Sequence, residues 1–459
     1  MARRSLLVIA LLGAVAVSSV VLKAIPSDRI SDAVQARMER DGVPGVVVVV
    51  LENGIPVWTR ALGQADPATG REMTVDALFR VESITKSVTA WGAMRLAETG
   101  RLDFDAPIAD CLTRWQPPEG TPLLTPRQLL SHSAGIGLGD FTARYAPDAP
   151  RPGLAEHLAE DFEMIATPPA TFSYSDTGFN LLELVMEDCT GEDFAAFMTR
   201  EVLGPLGMEQ AGFDWPGVEM PTGHDLHGRP VAPYVYPGRA SGGLFATAGD
   251  IARFAAAAMD GADQDVLSPG GVADLHRPAM AVGGLFGFAA ERYGLGHFTE
   301  TLSDGRAAVW HGGQGYGWMS HLHLVPETGD GIVILSNSQR AWPLFADVLR
   351  VWSESLGVQP VAMTRVLWAE TAARVVIAGL GIVAALALWV AVACASRTRA
   401  VRAIAGAASA ALIVWPLWAA AQDYLFLFSI LPGLWLWLAA SCGIAGLCLA
   451  AFTLGRQQR

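Results

Sequence analysis

Four stretches of this chain are apolar for long enough to cross a bilayer, and they fix how the rest can be organised. Residues 5–22 follow the basic start Met1-Ala2-Arg3-Arg4 and precede Lys23, and residues 375–395, 403–421 and 434–454 follow one another near the C-terminus. Each is close to the roughly 20 residues that a helix needs to span about 30 Å of hydrocarbon. A backbone in hydrocarbon must satisfy its own polar groups, so such runs form helices. One of them would pass for a buried core helix; three in series would not. The first run is a cleaved secretory signal or an uncleaved anchor, and its length and the lack of a small-x-small site after it favour the anchor. The chain therefore divides into residues 1–26 (signal or anchor), 27–360 (a globular domain) and 361–459 (a membrane region with three spans).

The arginines set a direction. With the N-terminus inside, the second span leads to a loop with Arg397, Arg399 and Arg402, the third to a loop with Asp423 and no basic residue, and the fourth to a tail with Arg456 and Arg459. Each crossing agrees with an excess of positive charge on the inner side, with Arg365 and Arg374 mildly opposed. The expectation is a multi-pass protein of a bacterial-type cell membrane whose globular domain is extracytoplasmic. Apolar residues make up 51% of the chain and charged ones 17%, a bias that the four runs explain. The net charge of −13 and the absence of a basic stripe exclude nucleic-acid binding. Cys111 and Cys189 lie in the globular part and Cys394, Cys442 and Cys448 in apolar segments. A Cys111–Cys189 bridge is open to the chain in an oxidising compartment, but spacing alone does not establish it.

Within the globular part, Ile30, Val34 and Met38 mark an amphipathic helix over 28–41. Residues 46–51 are a β-branched run, Asn53-Gly54 a hairpin turn and 55–62 the return strand. A helical pattern runs from Ser83 to a stop at Gly100, and Thr247 with Asp250 reads as a helix cap. Strands are expected at 307–311, 318–325 and 331–337, with a closing helix over 342–355. Strands thus cluster at both ends and helices fill the middle. The expected fold is α/β (α+β): an antiparallel sheet flanked by helices, with an inserted helical lobe.

The helix that starts at Ser83 carries Ser83-Ile84-Thr85-Lys86. Positions i and i+3 share a helix face, so the Lys86 amine reaches the Ser83 hydroxyl, and a desolvated amine can act as base to a serine. Further along stand Tyr174-Ser175-Asp176 and, at a predicted strand end, His311-Gly312-Gly313. Leu129-Leu130-Ser131-His132-Ser133-Ala134-Gly135, Pro205-Leu206-Gly207-Met208, Ser241-Gly242-Gly243-Leu244 and Tyr293-Gly294-Leu295-Gly296 complete the set. In the order and spacing of these motifs, residues 28–357 resemble the beta-lactamase-related serine hydrolases. That family spans class C beta-lactamases, D-alanyl-D-alanine carboxypeptidases, D-aminopeptidases and esterases.

The resemblance implies a beta-lactamase/transpeptidase-like fold and an acyl-enzyme on Ser83. Lys86 would hold or take the serine proton, and Tyr174, as phenolate or proton relay, would share base duty and protonate the leaving group. The backbone N–H groups of Ser83 and Gln314 would form the oxyanion hole, worth about 3 kcal/mol each. Asp176, His311 and Gly313 would face substrate, with Gly312 and Gly313 admitting its close approach. No cofactor or metal is implied. His224 and His227 form H-x-x-H without a third ligand in reach, and His132 reads as a helix-end histidine bonded to backbone, outside the site.

Two positions depart from the family pattern. Asp176 stands where asparagine is common, and an ionised carboxylate cannot donate to a substrate carbonyl. It would also favour the Lys86 ammonium and shift base duty to Tyr174. His311 stands where many beta-lactamases have lysine, and imidazole is the weaker anchor for a substrate carboxylate. The expected substrates are therefore esters or D-amino peptides, peptidoglycan fragments among them. Two alternatives remain open: a beta-lactamase or penicillin-binding carboxypeptidase, and a non-catalytic membrane sensor or binding protein.

Overall fold

The computed structural model describes residues 27–393 and 398–454. The first apolar run, Cys394, Arg397, Arg456 and Arg459 lie outside the described residues.

The domain is organised around a strand that both of its faces bury. Gly45–Glu52 (β1) reads GVVVVVLE, a continuous apolar run of the kind that suits a strand covered on both sides. Val47, Val49 and Leu51 join one core with Trp91, Phe179 and Phe254. Val46, Val48 and Val50 join the other with Ile30, Val34, Phe345 and Trp352. Asn53 and Gly54, with φ of 52° and 74°, turn the chain into Ile55–Asp66 (β2). Both take the positive φ that a type I′ turn requires. After Arg71–Glu72 (β3) the chain leaves the sheet for about 200 residues and returns as Met280–Ala281 (β4), Arg292–Tyr293 (β5) and Phe298–Thr301 (β6). Ala307–Gln314 (β7), Met319–Val325 (β8) and Asp330–Ser336 (β9) finish it. The nine strands lie in the order β3-β2-β1-β9-β8-β7-β6-β5-β4, antiparallel throughout, with Val48 opposite Ile334. The first and last long strands are thus neighbours, as the pattern at the two ends of the domain predicts.

Ser27–Asp41 (α1) and Trp342–Leu356 (α5) cover one face. The inserted segment supplies the other with Ile84–Glu98 (α2), Asp176–Thr190 (α3) and Ala248–Ala257 (α4). Thr247 and Asp250 form the expected capping box of α4. In α2 only Arg95, Ala97 and Glu98 escape burial, so this helix sits inside the domain and carries Thr85, Lys86, Ser87 and Thr89 into the interior with it. A disulfide joins Cys111, in the loop that follows α2, to Cys189 in the last turn of α3.

Three helices at the C-terminal end are long and apolar enough to cross a membrane: Arg365–Ala393 (α6), Arg399–Ala420 (α7) and Trp435–Leu454 (α8). α6 begins well before its apolar run, because its polar first turns dock on the globular domain. There Glu370 accepts a hydrogen bond from the buried Arg37 at 3.0 Å, and Val366 is fully buried. Gly446 admits a close helix contact: a side chain there would meet Ile413 at 2.8 Å, and its carbonyl accepts from Ser409. Gly379 and Gly381 face open space.

Candidate active site

Ser83 occupies the N-cap of α2, but its hydroxyl makes no capping hydrogen bond. The oxygen is left for other work. One turn later Lys86, with no exposed surface, places Nζ 3.2 Å from Ser83 Oγ, 2.6 Å from Asp176 Oδ1 and 2.8 Å from the Ser241 carbonyl. Burial lowers the Lys86 pKa, against the opposing pull of Asp176 and Glu82. Asp176 does favour the ammonium, as expected, while burial of the amine pulls the other way and is the larger effect. Nζ donates to all three, to Ser83 Oγ, Asp176 and the Ser241 carbonyl, so the amine is aimed at the serine oxygen.

Tyr174 lies beside this pair, with Lys86 Nζ 4.8 Å from its ring centre. Its phenol hydrogen-bonds with Ser83, yet burial and Asp176 push its pKa well above the ordinary value. It therefore stays a phenol near neutrality, suited to relaying a proton rather than to serving as a phenolate base. Rings hold it on several sides: His132 at 4.4 Å, Phe286 at 5.1 Å and Phe298 at 6.4 Å. His132 Nδ1 accepts from the Ser175 N–H, the backbone bond expected of it.

The residue before the nucleophile carries backbone strain. Glu82 has φ 49°, a left-handed conformation that side chains other than glycine rarely adopt. A buried network holds it there. Arg80 Nε donates to Glu82 Oε1 at 3.0 Å, and the Tyr234 and Tyr236 hydroxyls donate to the two carboxylate oxygens at 3.1 and 3.0 Å. Arg80 also lies over the Tyr234 ring at 4.3 Å. Sequence reading missed this network, because an arginine and a glutamate two residues apart resemble any exposed pair.

Two expected substrate contacts, His311 and Gly313, are placed differently. His311 is buried and lines neither cavity beside Ser83. Its Nδ1–H donates to the Gly312 carbonyl at 2.8 Å, and Nε2 accepts from the Tyr293 hydroxyl at 3.1 Å. Both nitrogens are engaged and burial keeps the ring neutral, so His311 anchors Tyr293 and has nothing to offer a carboxylate. Gly313 does not open room for substrate either. A side chain there would strike Ser320 Oγ at 2.3 Å and the Val81 carbonyl at 2.4 Å, so the glycine lets β7 approach the turn that carries Ser83. Gln314 ends β7 and does border the cleft, but its side chain is tied elsewhere. Nε2 donates to the Tyr424 carbonyl at 2.6 Å, and Oε1 accepts from Trp342 Nε1 at 2.7 Å.

Tyr424 lies in the loop between α7 and α8, and its hydroxyl donates to Asp176 Oδ2. The sequence gives no sign of this, since an aromatic residue between two apolar runs reads as an interfacial anchor. Two cavities flank Ser83. One, of about 170 Å³, has Asp140, Arg144, Asp176 and Asn180 among its bordering residues. The other, of about 60 Å³, is bordered by Phe286, Phe298, Trp310, Trp342 and Phe426. Among the described residues no group of three or more His, Cys, Asp or Glu side chains is placed to hold a metal ion.

A buried serine–lysine pair with a phenol beside it, on a helix packed against an antiparallel sheet, marks the chain as a serine hydrolase. The chain belongs to the beta-lactamase family, whose family model, described as "Beta-lactamase", matches residues 30–352. It is 30% identical to Esterase EstB of Burkholderia gladioli over 364 residues, covering 66% of this chain and 88% of the esterase. It is 27% identical to Penicillin-binding protein 4 of Amycolatopsis lactamdurans, covering 67% of this chain and 84% of that protein. Among solved structures, the octameric penicillin-binding protein homologue from Pyrococcus abyssi superimposes with a TM-score of 0.66 at 25% identity, over 73% of this chain and 78% of its own.

Proposed function

We propose that this protein is a membrane-anchored hydrolase that cleaves ester or D-amino peptide bonds outside the cytoplasm. The observation that carries the reading is Lys86: fully buried, lowered in pKa, and 3.2 Å from a serine hydroxyl free of capping duty. Ser83 Oγ attacks the substrate carbonyl as its proton passes to Lys86. The oxyanion lies between the backbone N–H groups of Ser83 and Gln314. As the tetrahedral adduct collapses, Lys86 returns the proton through Tyr174 to the departing alcohol or amine. Water, deprotonated by the same pair, then releases the acid from Ser83. Only the neutral amine accepts the proton, so the rate rises with pH through the lowered Lys86 pKa. The Cys111–Cys189 bridge supports an oxidising compartment, and the three C-terminal helices support the membrane.

The test is labelling with a membrane-impermeant fluorophosphonate, on intact cells and on isolated membranes, with Ser83→Ala as control. Label on the parent in both preparations, absent from the control, is the expected result. Label in membranes alone would place the domain inside. No label on a folded parent would return the reading to a non-catalytic sensor.

One observation favours a second reading, with carboxylate-bearing substrates such as penicillins. Arg144 borders the larger cavity, its guanidinium lies 3.9 Å from the Tyr316 ring centre, and it forms no ion pair with a described residue. Arg144→Ala should raise KM about tenfold for a substrate with a free carboxylate, and leave a neutral ester unchanged. Steady-state kinetics on such a matched pair decide between the readings, and equal effects on both would remove the carboxylate role.

A further inference from the structure

Ser83, Gln314 and Tyr424 are the residues common to both cavities. Ser83 is the proposed nucleophile and Gln314 a strand end, so the wall between the cavities is Tyr424, a residue of the membrane region. Its hydroxyl is bonded to Asp176 and its carbonyl to Gln314, and its ring packs 4.9 Å from Phe141 and 6.2 Å from Tyr174. Tyr424 and Leu425 both have φ 53°. Two consecutive bulky residues in the left-handed region persist only where their surroundings hold them. The next residue, Phe426, borders the smaller cavity and lies 6.0 Å from Phe286.

We propose that the loop between α7 and α8 completes the active site: Tyr424 positions Asp176 and divides the cleft, and Phe426 closes a pocket beside Ser83 that takes the compact, apolar acyl group of an ester. The inference rests on the reading of Ser83 as nucleophile and adds the substrate's acyl class to it. The pocket's 60 Å³ is room for about four or five water-sized groups, which suits a short acyl chain. Its aromatic walls offer such a chain no polar partner.

Tyr424 acts on the chemistry through Asp176 and is a positioning residue. Charged and titratable groups that face Asp176 and Lys86 are Glu82, Tyr174, Tyr293, His132 and His311. Besides these, the Tyr424 hydroxyl donates directly to the second Asp176 oxygen. Its phenol is held protonated by burial and by Asp176, so it spreads the carboxylate charge away from Lys86. Without that bond Asp176 would hold the lysine proton more tightly.

The experiment is Ser83 labelling of the full chain in membranes by alkylphosphonofluoridates of graded chain length, with the rate measured across pH. The phosphorus-bound alkyl group stands where the acyl chain would lie. The parent should prefer short chains. Phe426→Ala should move the preference toward longer ones, changing the long-to-short rate ratio about tenfold. Tyr424→Phe keeps the ring and removes the hydroxyl, and should move the acid limb of the labelling profile up by about one pH unit. A loop that only braces the fold would change the overall rate and leave both profiles parallel to the parent's, and that result overturns the inference. A parent that never labels removes the nucleophile reading and this inference with it. A parent that labels while both variants keep its profiles removes this inference alone.

Discussion

Lys86→Met is expected to slow acylation of Ser83 by about 10²–10⁴-fold, the usual contribution of a positioned general base, or about 3–5 kcal/mol of barrier. The change keeps the length and apolar stem of a side chain that is wholly buried, so the pocket in α2 stays filled. It leaves Asp176 with the Tyr424 hydroxyl as partner, and the Asp176 side chain is 17% exposed. The fold should therefore hold while the chemistry fails. Phosphonate labelling separates the two, because the probe reports the nucleophilicity of Ser83 without a full turnover. The residual rate should also lose its acid limb, since no amine is left to titrate. An unaltered rate and profile would transfer base duty to Tyr174 and reject the neutral-lysine mechanism.

Glu82→Ala should give the largest loss of stability among single changes around the site, about 3–5 kcal/mol. The carboxylate is the acceptor for Arg80, Tyr234 and Tyr236, and Arg80 is 1% exposed. Removing it strands a guanidinium in the interior with only the Tyr234 and Gly242 carbonyls as acceptors. Alanine is also no better suited than glutamate to φ 49°, and the bonds that hold the turn open are gone. Thermal unfolding in detergent should fall steeply, and labelling at temperatures where the variant is still folded should fall too, since this turn aims Ser83. Glu82→Gln keeps the shape and should recover part of both. If Glu82→Ala melts with the parent, the network contributes nothing to the turn.

What was legible in the sequence follows from how local each signal is. β1 and β9 could be read because five valines and the run around Ile332 are apolar on both faces. The Asn53-Gly54 turn and the α4 cap could be read because their chemistry lies within four residues. Ser83, Lys86 and Tyr174 were found by motif, and the structure brings them together. The lowering of the Lys86 pKa was not legible, because the burial that causes it comes from elements far along the chain. His311 was misplaced for the same reason: its partner Tyr293 lies two strands away in the sheet. Tyr424 was beyond reach, because its partner Asp176 precedes it by 248 residues, and no pattern in an interfacial loop announces a catalytic neighbour.

The pairing of β1 with β9 also orders events during biosynthesis. GVVVVVLE, charged only at its last residue, keeps one edge open until Asp330–Ser336 arrives to cover it, and such an edge invites pairing with other chains. The sheet is dominated by contacts remote in sequence, a topology that forms late and slowly. α5 and then α6 follow β9 almost at once. With the membrane anchoring proposed above, the first C-terminal helix would reach the bilayer only after the last strand of the domain has been made. The polypeptide is then fastened at the point where its sheet can close, and the exposed valine edge has the shortest time in which to meet a neighbouring nascent chain.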